Sequence, residues 1–251
     1  MPTNTLIIGH RGASNDAPEN TLASFELAFQ QGADGVEADF RLTRDGEIVC
    51  LHDDNTARTG GAEFLVADAT LKELRRLDFG LWKGEKWRGE RLPLLSEVLS
   101  VLPAGKRLFV ELKSGLEMVE PLAATLAAAG VAPAQLRLLA FSHELIQALK
   151  TRLPDYQACW LTDYRFCGVW YPSHLEILAT LRDSRADGLA SRDRAILDLP
   201  LVESLRQKSL EIHVWTVDQA VSARRLLALG VDSIMTNRPG WLRRALAEPA
   251  R

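Results

Sequence analysis

Apolar residues recur along the chain in short runs, separated by stretches whose apolar positions fall three and four residues apart. This is the alternation of strand with helix that builds a parallel sheet. The runs predict strands over residues 6–9, 35–41, 108–112, 136–140, 156–161, 188–190, 211–216 and 233–235. The amphipathic stretches predict helices over 21–31, 94–102, 118–129, 144–152, 175–184, 201–208, 219–229 and 241–247. Gly32, Gly130 and Gly230 follow three of these helices where a left-handed C-terminal residue belongs, and Ser142 and Asp218 stand where N-caps belong. Eight strand-helix units in 251 residues match the size of an α/β TIM barrel, whose active site lies at the C-terminal ends of its strands. The competing arrangement, an open doubly wound sheet, calls for a glycine-rich phosphate loop after the first strand, and "GHRGAS" is not one.

One segment breaks the rhythm. After the second strand the chain turns back through Asp45 and Gly46 as a hairpin, and the next barrel helix starts only at Leu94. The chain therefore reads as one domain over 1–251 with an insertion at about 54–92, long enough to suggest a function. The insertion carries an amphipathic piece, "ATLKELRRLDFG", and two tryptophans, Trp82 and Trp87, expected to pack it onto the barrel rather than to form a lid.

Composition narrows the partners. Apolar residues make up 47% and charged residues 25%, which suits a globular protein, and a net charge of -3 with no basic block argues against nucleic acid. Cys50, Cys159 and Cys167 show neither zinc-site nor disulfide spacing, so a reducing compartment is expected. No stretch is apolar enough to span a membrane and "MPTNTLIIGH" does not resemble a leader, so the expectation is a cytoplasmic protein without stable membrane insertion.

The second strand, "GVEADFRL", alternates Val36, Ala38 and Phe40 with Glu37, Asp39 and Arg41, so the charged set shares one face. If the apolar set meets the helices, Glu37 and Asp39 point inward at the mouth. The third strand, "RLFVELK", puts Glu111 and Lys113 on the corresponding face. Three carboxylates on neighbouring strands, with no cysteine or histidine in the cluster, suit a hard divalent cation such as Mg²⁺ or Ca²⁺ better than zinc. Of five histidines, His10 ends the first strand and His52 ends "IVCLH", so both reach the rim that holds the acids. Two imidazoles with ordinary pKa near 6.5 can divide general-base and general-acid work. His143 and His174 read as structural, and for His213 an interior and a site role are equally open. A metal, Arg11, Lys113 and two imidazoles around one pocket describe a site for a phosphate ester: the cations hold nonbridging oxygens while the rings move protons.

These residues resemble the glycerophosphodiester phosphodiesterases, specifically the short cytoplasmic bacterial type. The likeness lies in "HRG" (10–12), "PENT" (18–21), "VEADFRLTRDGEIVCLHDD" (36–54), "LPLLSEVL" (92–99), "ELK" (111–113), "VWTVD" (214–218) and "GVDSIMTNRP" (230–239), in order and over nearly the whole chain. The resemblance implies a TIM barrel with a small subdomain inserted after the second strand. It implies Glu37, Asp39 and Glu111 as metal ligands, His10 and His52 as the acid-base pair, and Arg11 and Lys113 as phosphate contacts, with Asn20 and Trp215 lining the site. Ser114 and Asp218 depart from the residues frequent there without removing a group the chemistry needs. The implied reaction is metal-dependent hydrolysis of a glycerophosphodiester, such as glycerophosphocholine or glycerophosphoethanolamine, to sn-glycerol 3-phosphate and an alcohol. A second reading takes a lysophospholipid as substrate, its acyl chain held by the aromatic segment "YRFCGVWYP" (164–172).

Overall fold

The computed structural model describes residues 5–248. Its strands are β1 (Leu6–His10), β2 (Gly35–Leu42), β3 (Ile48–Cys50), β4 (Arg107–Leu112), β5 (Leu136–Ala140), β6 (Gln157–Thr162), β7 (Arg165–Phe166), β8 (Trp170–Tyr171), β9 (Gly188–Arg192), β10 (Glu211–Trp215) and β11 (Ser233–Thr236). Strands β1, β2, β4, β5, β6, β9, β10 and β11 pair in parallel in that order, and β11 closes onto β1, which makes the expected TIM barrel. The helices are α1 (Leu22–Gln30), α2 (Ala57–Gly60), α3 (Leu71–Leu74), α4 (Leu95–Ser100), α5 (Val119–Ala129), α6 (His143–Arg152), α7 (His174–Ser184), α8 (Leu199–Arg206), α9 (Ala220–Leu229) and α10 (Pro239–Ala247). None is long and apolar enough to cross a membrane.

The period of two along each strand sorts residues between two cores. Val36, Ala38 and Phe40 of β2, with Leu108, Val110 and Leu112 of β4, pack outward against the helices. Ile8, Phe109, Leu139, Cys159, Leu161, Ala190 and Met235 fill the inside of the barrel. This inner layer is the floor on which the mouth residues, one or two pleats further along their strands, stand.

Side-chain caps start five of the ten described helices, α1, α3, α6, α7 and α8. Ser142 Oγ accepts from Leu145 N at 3.0 Å, as expected of an N-cap. Helix α8 begins two residues early because Asp198 caps it, accepting from Leu201 N at 3.0 Å, and Pro200 suits the first turn. The expectation for Asp218 is corrected: Gln219 occupies the N-cap position of α9, without a side-chain cap bond. The Asp218 carboxylate instead accepts from Asn237 N and Thr236 Oγ1, both at 2.8 Å, and from Asn237 Nδ2 at 2.6 Å. Three donors from the end of β11 outcompete one helix amide.

The hairpin expected at Asp45 and Gly46 is present. Gly46 has φ 84°, where glycine alone is unstrained, and β3 runs antiparallel to β2 with Cys50 opposite Phe40. The insertion then builds its own small core from Val49, Leu51, Val66, Ala69, Leu74, Phe79 and Leu92. A capping box between Thr70 and Glu73 starts the single turn of α3 and turns Leu74 inward. Trp82 does not supply that packing, contrary to the sequence expectation. Trp82 is 39% exposed and donates its indole N–H to the Phe79 carbonyl within the insertion, while lysine ammoniums sit over both rings. The Trp82 ring lies on a 3₁₀ turn at the surface, whereas Trp87, on the next turn, is half-buried and its indole nitrogen is shielded from solvent.

Candidate active site

Strand register brings the site together. In the β1–β2 pair His10 lies opposite Glu37, and in the β2–β4 pair Asp39 lies opposite Glu111. All four share the inward face and end at the C-terminal rim. Glu37, Asp39 and Glu111 are buried, and one carboxylate oxygen from each falls within 4.8 Å of the others.

Two cations stand among these acids. Lys113 Nζ lies 3.1 Å from Asp39 Oδ1 and also contacts Glu111 Oε1. Arg11 Nε lies 3.1 Å from Asp39 Oδ2, and the Arg11 backbone N–H donates to Glu37 Oε2 at 2.9 Å. That backbone bond needs a tight turn after β1: Arg11 has φ 53° and Gly12 has φ 81°. A side chain on Gly12 would place its Cβ 2.4 Å from Ser24 Oγ, which is why the motif ends in glycine. Asn20 stands behind Asp39, 3% exposed, donating from Nδ2 to Asp39 Oδ2 at 2.8 Å and accepting from Asp39 N at 3.2 Å. It orients the acid from the back of the site, and the cavity wall is formed by others.

The charges do not balance. Three carboxylates against two fixed cations leave one negative charge, in a site where burial makes such a charge expensive. Burial, then the Asp39 and Glu111 charges, drive the Glu37 carboxyl well above its ordinary range. Burial and Asp39 push Glu111 up to about 7. For Asp39 burial acts the same way, but Lys113 and then Arg11 overrule it and hold that carboxyl below its ordinary range. Glu37 Oε1 is buried without a hydrogen-bond partner among the described residues. A divalent cation fits this donor set: all-oxygen, hard, and with three buried oxygens, Glu37 Oε1, Asp39 Oδ1 and Glu111 Oε1, that make no hydrogen bond among the described residues, the last two facing only the Lys113 ammonium. It would turn the local charge to one positive, which matches the single negative charge of a phosphodiester.

The imidazoles flank the acids. His10 Nδ1 lies 2.7 Å from Asn237 Oδ1, and its Nε2 lies 3.9 Å from Glu37 Oε2. Burial, then the Arg11 charge, lowers the His10 pKa to about 4, so its ring is neutral at pH 7. His52 Nδ1 lies 2.7 Å from Asp53 Oδ1. Burial lowers this ring too, while the Asp39 charge favours a proton on it. Both rings, with Arg11, Glu37, Glu111 and Lys113, line one side of a cavity of about 150 Å³. Leu139, Phe141, Leu161, Trp215 and Met235 line the other. Trp215 is fixed by its indole N–H donating to the Ala190 carbonyl at 3.0 Å, and its ring meets Phe141 edge-on at 5.7 Å. A polar half and an apolar half of this size suit a phosphate attached to a short carbon chain. Larger grooves lie outside the barrel, one of about 460 Å³ among Leu175, Leu178, Leu181 and Leu210, but it gathers no acid or imidazole.

Other sequence candidates fall elsewhere. Arg41 shares the Glu37 face but leans outward to donate to the His52 carbonyl at 2.7 and 3.0 Å. His213 is a satisfied interior ring below the site, with Ser233 Oγ at 2.9 Å and Glu211 Oε2 at 3.1 Å. His174 contacts the Ile196 carbonyl at 3.1 Å and His143 faces Glu144, both away from the mouth. The aromatic segment 164–172 is the β7–β8 hairpin. Phe166 and Tyr171 are 62% and 64% exposed, and none of its side chains lines the cavity. Asn237, Asp53 and Phe141 touch site groups and were not singled out from the sequence. Each immediately follows a strand end or a candidate histidine, which is the positional signal available for them.

Known proteins are similar to this chain in sequence and in fold. The model of the glycerophosphoryl diester phosphodiesterase family matches residues 10–241. A glycerophosphodiester phosphodiesterase of Caldanaerobacter subterraneus is 34% identical over 95% of this chain and 96% of its own length. One from Bacillus subtilis is 30% identical over 95% of this chain and 85% of its own length. Among solved structures, an Oleispira antarctica phosphodiesterase in complex with the product sn-glycerol-3-phosphate superposes with a TM-score of 0.86 at 27% identity, covering 97% of each chain.

Proposed function

From a chain that belongs to the glycerophosphoryl diester phosphodiesterase family and hydrolyses glycerophosphodiesters, we infer a metal-dependent reaction in which His10 and His52 move the protons. Suitable substrates are glycerophosphocholine and glycerophosphoethanolamine, cleaved to sn-glycerol 3-phosphate and an alcohol. The observation that carries the reading is the register that sets His10 against Glu37 and Asp39 against Glu111 at one mouth, with Glu37 Oε1 left unpartnered. The whole chain acts as one catalytic unit, insertion included.

Glu37, Asp39 and Glu111 would hold Mg²⁺ or Ca²⁺. Such an ion supplies Lewis-acid stabilisation of the negative charge that builds on the phosphoryl oxygens. Arg11 and Lys113, both facing the cavity, hold the remaining nonbridging oxygens. The apolar wall of Phe141, Leu161 and Trp215 receives the glycerol carbons, so the phosphate is presented to the polar wall in one orientation. His10, neutral and with Nδ1 engaged by Asn237, offers Nε2 as the base that takes the proton of the attacking oxygen. His52 delivers a proton to the departing alkoxide. Burial and the Arg11 and Lys113 charges hold the His52 pKa below its ordinary value, which makes the ring a ready proton donor, while Asp39 and Asp53 work against that loss. The product seen in the Oleispira antarctica enzyme supports assigning the retained half to phosphoglycerol. No side chain of the aromatic segment 164–172 lines the cavity, which favours the small diester over a lysophospholipid held by that segment.

The test is hydrolysis of glycerophosphocholine after chelation, with Mg²⁺ and Ca²⁺ restored separately. Activity should vanish with chelator and return with at least one ion. Full turnover in chelator would overturn the reading.

A further inference from the structure

The two imidazoles are supported differently. His10 sits on a barrel strand, whereas His52 follows β3, a three-residue edge strand outside the closed barrel. Its ring therefore needs a brace the barrel does not provide. We propose that Arg58, carried by the insertion, is a positioning residue that holds His52 through Asp53 and Arg11 through Glu19; this rests on the role assigned to His52 above.

The Arg58 guanidinium spans two carboxylates. Its Nε lies 2.7 Å from Asp53 Oδ2 and its Nη2 lies 3.2 Å from Asp53 Oδ1. On the other side Nη1 lies 2.9 Å from Glu19 Oε2 and Nη2 lies 2.8 Å from Glu19 Oε1. Each carboxylate passes the constraint inward. Asp53 Oδ1 accepts from His52 Nδ1 at 2.7 Å, and Glu19 Oε1 accepts from Arg11 Nη1 at 2.8 Å. His52, Asp53, Arg58, Glu19 and Arg11 thus form one unbroken chain between the imidazole and the guanidinium that face the cavity. A planar fork can meet both oxygens of each carboxylate at once, a geometry that an ammonium on a flexible stem does not reproduce.

The anchor is itself fixed. Arg58 lies on the one-turn helix α2, preceded by Thr56, which is buried and donates to the Ala62 carbonyl at 2.5 Å. Arg58 holds Asp53 down to about 2, so Asp53 stays ionised and keeps the hydrogen on His52 Nδ1, leaving Nε2 for the substrate side. The Arg58 side chain is 43% exposed, and an ion pair so accessible to water adds little to fold stability. What it contributes is orientation. A second contact of the insertion, Lys83 Nζ donating to the Ser14 carbonyl at 2.7 Å, ties it to the loop after β1.

The test compares Arg58→Gln, Arg58→Lys, His52→Ala and the Arg58→Gln/His52→Ala double variant in the metal-loaded enzyme with glycerophosphocholine. Arg58→Gln should lower kcat by about 10- to 100-fold with KM moved far less, the range typical when a residue that orients a reacting group is lost. Arg58→Lys should restore only part of it. In the His52→Ala background, Arg58→Gln should cost clearly less than it does in the parent, because only the arm through Glu19 to Arg11 is left for it to disturb. Nitrogen-15 NMR of the histidine-labelled enzyme should show the His52 Nδ1 proton in the parent and its loss or broadening in Arg58→Gln. Parental kcat in Arg58→Gln, or losses that multiply in the double variant, would overturn the inference while the site reading stands. Parental kcat in His52→Ala would bring down the site reading, and this inference with it.

Discussion

Asn237 Oδ1 lies 2.7 Å from His10 Nδ1, and the orientation of that amide follows from its other neighbours. Asp218 Oδ2, which can only accept, sits 2.6 Å from Asn237 Nδ2, and Ser14 Oγ donates to Asn237 Oδ1 at 2.8 Å. The amide nitrogen therefore faces Asp218 and the amide oxygen faces His10. His10 carries its hydrogen on Nδ1 and presents a bare Nε2 to the cavity. Asn237→Ala should free the ring to change tautomer and lower kcat by about 10-fold or more, with a smaller effect on KM. Steady-state kinetics on glycerophosphocholine check this, and an unchanged kcat would separate Asn237 from the reaction.

Removing either imidazole is a larger lesion. His10→Ala and His52→Ala should each lower kcat by at least about 10²-fold, the lower end of what a positioned proton-transfer group contributes. Circular dichroism and thermal melts should show both variants folded, because neither ring belongs to the hydrophobic clusters of the barrel. A variant that keeps near-parental turnover would take that ring out of its role.

The three acids predict how stability responds to metal. Without an ion, burial and mutual repulsion drive Glu37 toward its protonated form, so Glu37→Gln should cost the metal-free protein little. An ion bound only by the folded state stabilises it by about 2.7 kcal/mol at a hundred times its dissociation constant. Melts should therefore show a rise in Tm on adding Mg²⁺ or Ca²⁺ to the parent and a much smaller rise for Glu37→Gln. Equal rises would show that the ion binds elsewhere.

How much of this was legible in the sequence follows from the physics of each feature. Strand alternation in "GVEADFRL" and "RLFVELK" predicted the inward acids because a period of two admits only two faces, and the apolar face was obvious. Helix positions were legible from apolar spacing, while their ends moved by a residue or two wherever a cap such as Asp198 decided the matter. Asp218 was misread because its local position before a helix suggested a cap, whereas its donors come from β11, adjacent in the barrel and distant in sequence. Arg58 and Glu19, 39 positions apart, could not be paired from periodicity for the same reason. Trp82 misled because size was taken for burial.

The lower end of the barrel carries a pH dependence of its own. Arg137, only 7% exposed, donates to both oxygens of Glu211 at 2.6 and 2.8 Å, and His213 Nε2 lies 3.1 Å from the same carboxylate. Burial opposes ionisation of Glu211, but His213 and Arg137 prevail and lower its pKa to about 2, against an ordinary value of 4.5. An acid with a depressed folded-state pKa binds its proton more weakly folded than unfolded. Its contribution is therefore complete above pH 4.5 and is lost as pH falls toward 2. Glu211→Gln also leaves the Arg137 charge buried and without its acid, which should destabilise the protein by about 3 kcal/mol at pH 7. Urea melts of parent and variant across this range should show the gap wide at pH 7 and closing as Glu211 titrates. A gap that stays constant down to pH 2 would mean that the ion pair does not account for the stability assigned to it.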